Sequence, residues 1–422
     1  LLCTIEQIIL MNRSLLLLLT ALPLVASAQT SVTVTTGPTN ADQTWYSLQN
    51  GVQGSAPLAE WDLAFEITGF SSSILVNTAR GLNVFETPAS VAEWTSVNTV
   101  DESLWTAIHN SDTDWSTGAL NHGNNLDQPD GLDLGWGTYN MITHTIAGTK
   151  VYVIAFTDGT YRKLRIDGLV SGVFTFTHAN LDGTDEITST LVKPTFSGKN
   201  FGYYSFATNT TLDREPATST WDLLFTKYIG FVPTPYAVAG VLQNKNVTVL
   251  QVDDVEPASA QYWGEEFSVE INTIGSDWKT FNMTTFEYEY AQNRTYFVQD
   301  IVGNIWKLIF TGYGGSANGD MTFIQELASA VTVDELGRKE TQLVVYPNPS
   351  NTGQVTLVMD ASSSTAVLSI HDLGGKLVSE QLLNGLNGLV QRTIDVNGLP
   401  QGMYVVRLQG EGTTSTASLI IE

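Results

Sequence analysis

Short apolar runs with strict alternation dominate the chain after Gln29. Lys150-Val-Tyr-Val-Ile-Ala-Phe156, Val173-Phe-Thr-Phe-Thr177 and Val247-Thr-Val-Leu250 are rich in the β-branched and aromatic residues that suit a pleated, half-buried surface. Gly, Asn, Asp and Pro punctuate these runs. Thr157-Asp158-Gly159-Thr160 lies between two of them and reads as a hairpin turn, because glycine accepts a positive φ at little cost. No long stretch carries a helical period, so the expected fold class is all-β.

The same markers recur in the same order. Tyr46-Ser47 precedes Trp61-Asp62-Leu63-Ala64-Phe65, as Tyr204-Ser205 precedes Trp221-Asp222-Leu223-Leu224-Phe225. Trp136-Gly-Thr-Tyr139 matches Trp278-Lys-Thr-Phe281. Tyr152-Val153 with Gly159 to Leu164 matches Phe297-Val298 with Gly303 to Leu308, and Phe174-Thr-Phe176 matches Met321-Thr-Phe323. Two homologous β units are therefore expected, at 29–190 and 191–328. A polar linker at 329–342 follows, then a small module from 343 to 422. Its alternating strands and Asn-Gly and Gly-Gly turns predict a β-sandwich.

The ends and the composition narrow the setting. From Met11, Arg13 precedes an apolar run from Leu15 to Val25 and then Ala26-Ser27-Ala28, the pattern of a secretory signal cleaved before Gln29. That run is too short to be read as a membrane span, so none is expected after signal removal. Residues 1–10 precede the expected start methionine. A formal charge of −24 argues against nucleic-acid binding and against adhesion to anionic lipid. The single cysteine, Cys3, falls in the signal, so the mature chain is expected to hold no disulfide, thiol nucleophile or lipidated cysteine.

The last module resembles the type A C-terminal sorting domain of type IX secretion cargo. The residues that carry the likeness are Tyr346-Pro347-Asn348-Pro349, Leu368-Ser-Ile-His-Asp-Leu-Gly-Gly-Lys-Leu377, Leu399-Pro-Gln-Gly402-Met-Tyr404 and the apolar ending Ser418-Leu-Ile-Ile-Glu422. The resemblance implies that residues 343–422 engage the type IX machinery of a Bacteroidetes-type cell. It places the protein outside the cell or on its outer-membrane surface, usually with removal of this domain. The two repeats resemble the HmuY-like family, known for haem-binding haemophores. Here the carriers are the two Trp-Asp-Leu-x-Phe strands, Tyr236-Ala-Val-Ala-Gly240, Gly159 to Leu164 and Asn304 to Tyr313. This chain departs from the best-known haemophore in being a tandem pair without an anchoring cysteine.

Residues paired between the units are expected to serve the fold, and unpaired ones to carry any difference in function. By that filter Trp61, Trp221 and the Asp after each are core and backbone-binding residues. Between the Trp markers unit 1 has 18 more residues, 61 to 136 against 221 to 278. The longer segment holds Trp94, Trp105 and Trp115 with His109 and His122. Such a set can line a pocket for a flat apolar ligand, and the resemblance implies haem, with imidazole as axial ligand. His144 is the third candidate, although the equivalent position in unit 2 is Phe286, which favours a packed ring. His178 and His371 read as exposed or structural. Unit 2 has no histidine, and Arg80 is the only basic residue between Trp61 and Trp136. Asn124, Asn125, Asp127, Asp130 and Asp133 offer the oxygen ligands that calcium prefers, but they lack the EF-hand spacing and read first as a solvated turn, so no metal site is expected. No nucleophile-elbow, zinc-protease, P-loop or dinucleotide motif marks an enzyme. The expected function is a secreted or surface binding protein, haem-binding through unit 1. The alternative is a structural, adhesive or glycan-binding protein without haem ligation.

Overall fold

The computed structural model describes residues 29–329 and 343–422, apart from 130, 352, 362–363, 373–374, 387, 411–412 and 422. The signal at 1–28 and all but the first residue of the linker lie outside the described residues. The described chain is all-β: thirty strands with one single-turn α-helix, Gly315–Asn318.

Unit 1 packs a four-stranded sheet on an eight-stranded one. The smaller sheet runs, in spatial order, Thr210–Leu212, Phe201–Ser205, Leu63–Glu66 and Ile74–Val76. The larger is built on Ile187–Val192, Val173–Asn180, Tyr161–Val170, Lys150–Ala155, Asn83–Ser90 and Thr106–Ile108, with the hairpin Gly137–Asn140/Thr145–Gly148 on its flank. Between the sheets lie Phe65, Trp136, Phe174, Phe176 and Tyr204, all essentially inaccessible to water. Unit 2 repeats the plan. Its smaller sheet is Tyr236–Gln243, Leu223–Gly230, Asp42–Ser47 and Gly51–Pro57. Its larger one is Thr30–Thr35, Asp320–Ser329, Ile305–Tyr313, Thr295–Gln299 and Thr248–Val252. Tyr46, Phe225, Trp278, Phe310 and Phe323 fill the core between them.

The first strands therefore cross over. Tyr46 pairs with Leu223 and Thr44 with Phe225, whereas Tyr204 pairs with Leu63 and Gly202 with Phe65. Thr30–Thr35 closes the far edge of unit 2 by pairing with Asp320–Ser329, and Ile187–Val192 closes unit 1 on Val173–Asn180. The division at 190 drawn from the repeat is corrected accordingly: the strands of unit 2 come from 30–57 and 223–329, and those of unit 1 from 63–212. A repeat fixes the order of its markers but not which copy of a strand completes which sheet.

The paired Asp residues fasten this exchange. Asp222 accepts the Leu48 amide on Oδ2 at 2.7 Å and the Ile301 amide on Oδ1 at 3.2 Å. Asp62 accepts the Phe206 amide on Oδ2 at 2.6 Å. Leu48 and Phe206 each lie two residues past the repeat tyrosine, so each carboxylate anchors the strand that arrives from the other half of the chain. Two buried asparagines complete the match. Asn77 donates to the Leu58 and Trp61 carbonyls, and Asn244 to those of Thr218 and Trp221.

The terminal module is a separate two-sheet sandwich. Leu343–Tyr346, Gln354–Ala361 and Gly388–Asp395 face Leu377–Asn384, Thr365–Asp372, Gly402–Gly410 and Thr413–Ile421. Leu357, Met359, Val406 and Leu419 are buried between them.

Candidate functional site at the junction of the two units

The two small sheets turn their outer faces toward each other. Leu223 and Phe225 point into the core of unit 2, so the alternation of a strand sends Leu224 and Thr226 to the opposite face. Ala64 and Leu75 of unit 1 face the same space. Polar contacts span it. Asn200 Nδ2 donates to Asn244 Oδ1 at 2.7 Å, and Lys245 Nζ pairs with the buried Glu66 carboxylate at 2.6 Å. The unit 1 insertion reaches over as well: the Ile271 amide donates to the Thr113 carbonyl at 3.0 Å, and Trp115 Nε1 to that of Gln243 at 2.9 Å.

An inner cavity of about 80 Å³ lies at this seam, walled by Trp45, Trp61, Trp115, Trp221, Tyr203 and Glu215. It has room for a few water molecules, each needing at least ~10–15 Å³ of such space. Glu215 is wholly buried. Desolvation pushes its carboxyl up to about 7, against hydrogen bonds from Tyr203 Oη at 2.8 Å and the Asn200 amide at 3.0 Å. Arg214 lies over the rings of Trp45 and Tyr203, 5.2 Å from each centroid, and donates to Gln43 Oε1. The repeat symmetry breaks here. Trp61 Nε1 donates to Gln43 Oε1 at 2.9 Å, but the position equivalent to Gln43 in the other half is Phe201. Trp221 Nε1 is consequently buried with no hydrogen-bond partner among the described residues.

Beside it opens a larger cleft of about 420 Å³. The short helical turn Thr78–Arg80 of unit 1 and His109 form one wall. Lys227, Ile229, Pro235 and Tyr236 of the long unit 2 hairpin form the other. The hairpin is the local cause: its strands run eight residues each, where their unit 1 counterparts run four and three. Its tip thereby overhangs the neighbouring unit. His109 packs edge-on against Phe231 at 5.6 Å, and its Nδ1 is buried without a hydrogen-bond partner among the described residues. Burial lowers its pKa and keeps the ring neutral.

The other residues singled out from the sequence scatter. His122 is half exposed, with Nδ1 3.1 Å from Glu86 Oε2, a carboxylate that also pairs with Lys150. His144 sits on an exposed hairpin tip, Nδ1 2.7 Å from Tyr139 Oη, which corrects its reading as a packed ring. Its counterpart Phe286 is likewise exposed, and both hold a positive φ, 54° and 58°. The repeat preserves a turn there, not a core. Trp105 packs on Phe85 and Tyr161 away from the junction, whereas Trp115 lines the inner cavity. His178 is fully buried between Arg162 and Tyr204, with its pKa lowered to about 4 by desolvation and then by the Arg162 charge. His371 contacts Ser369 in the terminal module. The structure thus brings His109 and Trp115 to the junction, and leaves His122, His144 and Trp105 elsewhere.

The sequence reading missed Arg214, Glu215, Lys227 and Tyr236. A signal existed. Arg214 and Glu215 fall in the stretch between the repeat Tyr and Trp that is two residues longer in the second copy (204 to 221 against 46 to 61), so searching the second copy for length differences as well as the first exposes both. Among the described residues no three His, Cys, Asp or Glu side chains gather as a metal site, and no helix is long and apolar enough to cross a membrane.

Comparison with known proteins adds a firm result at one end of the chain. The family described as the secretion system C-terminal sorting domain matches residues 344–422. No curated protein matches the chain. Among solved structures, a Bacteroides fragilis protein classed as a lipoprotein is 14% identical, over 47% of this chain and 97% of its own, with a TM-score of 0.20. Dimeric latent PorU from Porphyromonas gingivalis is 12% identical over 66% of this chain and 31% of its own, with a TM-score of 0.17. PorZ from the same organism, described as an essential surface component of its type IX secretion system, is 9% identical over 67% of this chain and 44% of its own, with a TM-score of 0.16. Residues 344–422 are a type IX secretion sorting domain, and the protein that carries them is an all-β secreted or cell-surface protein exported by that route.

Proposed function

We propose that the mature protein is a non-catalytic binding protein of the cell exterior, in which two HmuY-like units form one receptor with its ligand at their junction. The observation that carries this reading is a cleft of about 420 Å³ walled by both units. Ligand sites occur preferentially at such interfaces, and ~300–1,000 Å³ is their usual size. The inner cavity is too small for that role and serves the seam between the sheets.

Haem is a second reading, favoured by one observation: the neutral His109 ring on the cleft wall. Such a site would be mono-histidine, with Arg80 and Lys227 available to the propionates. Bound there, haem would supply an iron centre for one axial ligand from this chain.

A haemin titration of residues 29–422, followed by Soret absorbance beside His109→Ala, tests the haem reading. A saturable, red-shifted band lost in the variant supports it, and the lack of a saturable band excludes it. For the junction itself, a thermal-shift panel is run on wild type, Lys227→Ala and Tyr236→Ala. A ligand that stabilises all three equally overturns the junction reading.

A further inference from the structure

The same cleft has a definite chemical character, and the ligand class it indicates rests on the junction reading. In a chain with 43 acidic and 19 basic residues, its lining includes Arg80 and Lys227 and, among the described residues, no carboxylate. Arg80 is held in place by the Ala59 carbonyl at 2.8 Å and Asp62 Oδ1 at 3.1 Å, both through Nη1. Its Nη2 and Nε have no hydrogen-bond partner among the described residues. Lys227 Nζ has none either, and its strand neighbour Ile229 and the hairpin residue Pro235 lie on the same wall. With Asp62 set against Arg80, the cleft carries a net charge near +1. That suits a single carboxylate rather than a polyanion. The remaining surface is aromatic and polar: Tyr236 is 49% exposed on one wall, and the His109 ring lies on the other. An exposed aromatic face with few competing charges suits the C–H face of a sugar ring, and a polar handle beside it fixes orientation.

We propose that the cleft binds an acidic sugar, its carboxylate between Arg80 and Lys227 and its ring against Tyr236. A free sugar acid and the terminal residue of an acidic glycan present the same chemistry.

The test is isothermal titration of residues 29–422 with glucuronate and with N-acetylneuraminate, against glucose and acetate as controls. Oligomers of the better binder form a further arm, which separates free sugar from glycan end. The expected result is saturable binding of an acid, at least tenfold tighter than glucose or acetate. Lys227→Ala and Tyr236→Ala should each weaken it at least tenfold, and added salt should weaken it further. Equal binding of glucose overturns the charge argument, and equal binding of acetate overturns the sugar argument. In both cases the junction reading stands if Tyr236→Ala still abolishes binding. Acid binding untouched by either variant overturns both readings. No binding of any sugar acid overturns this proposal alone, because the thermal-shift panel judges the junction independently.

Discussion

Unit 1 and unit 2 share a frame and differ where they meet. In each, a Trp-Asp-Leu-x-Phe strand receives a tyrosine strand from the other half of the chain, and the Asp fastens it. Unit 1 spends its extra residues between Trp61 and Trp136, and that segment sends Thr113 and Trp115 across the seam. Unit 2 lengthens one hairpin instead and hangs its tip over Thr78–Arg80. Two different elaborations of one fold thus converge on one junction. The lesson is that a tandem repeat can differ in function at the boundary between its copies, with neither copy holding a site by itself.

The sharpest way to break this comparison is to delete residues 29–57. Three strands of unit 2 leave with them, including half of its smaller sheet, while every strand of unit 1 remains. Hydrogen exchange should show residues 223–329 stripped of protection and residues 63–212 largely keeping theirs. A contiguous division at 190 predicts the reverse, with unit 1 damaged and unit 2 intact. The two outcomes cannot be confused.

Next in size are the two fasteners. Asp222→Ala orphans two backbone amides, Leu48 and Ile301, in a buried setting, which costs about 3–5 kcal/mol. Asp62→Ala orphans one amide, Phe206, and also frees Arg80, which is partly exposed, so about 1–3 kcal/mol is expected. Urea denaturation of the single variants measures both. Equal losses would show that the second amide on Asp222 adds nothing.

Much of this frame was legible in the sequence, because alternation, hairpin turns and a repeat report directly on strands and their order. The type IX module was legible for the same reason, since its motifs are local. The exchange was not. Whether Tyr46 pairs with Leu63 or Leu223 depends on chain paths between sheets, and both strands offer the same hydrophobic face. The candidate site was legible only in part. His109 and Trp115 stood out as unpaired residues in a long insertion. Their partners Lys227 and Tyr236 come from the other unit and Glu215 from the segment that joins the two, more than 80 residues away, and no local pattern links them. His144 misled because an aromatic counterpart in a repeat suggests burial, where the shared feature is a hydrogen-bonded turn.

Glu215 sharpens the comparison from the seam itself, since it lies in the stretch between the repeat Tyr and Trp that is two residues longer in the second copy (204 to 221 against 46 to 61). A carboxyl raised from 4.5 to about 7 in the fold holds more protons folded than unfolded across that window. Its contribution is present in full below about 4.5 and is lost as pH rises through about 7. The full swing is about 3 kcal/mol at about 1.36 kcal/mol per pH unit. Glu215→Gln removes it. The stability difference between pH 5 and pH 8 should shrink in that variant relative to wild type, as measured by urea denaturation at both pH values. An unchanged difference would mean that Glu215 stays ionised at the seam.

The smallest expected effect comes from exchanging the units at their hairpin tips, by His144→Phe. Asn140 Oδ1 accepts the amides of Ile142 and Thr143, and Asn282 Oδ1 accepts those of Thr284 and Thr285. The residue after each turn then returns its own amide to the asparagine carbonyl, His144 at 2.8 Å and Phe286 at 2.9 Å. The backbone that fixes the positive φ is therefore the same in both units, and it does not involve the side chain that changes. What His144→Phe removes is one contact to Tyr139 Oη on an exposed surface. Surface changes of this kind stay within about 0.5 kcal/mol. A thermal melt should show almost no shift, and any haemin binding by the wild type should survive unaltered. A large loss of stability would mean that His144 supports the hairpin beyond the shared turn. A lost Soret band would restore it as a candidate iron ligand, against its place outside the walls of both the inner cavity and the cleft.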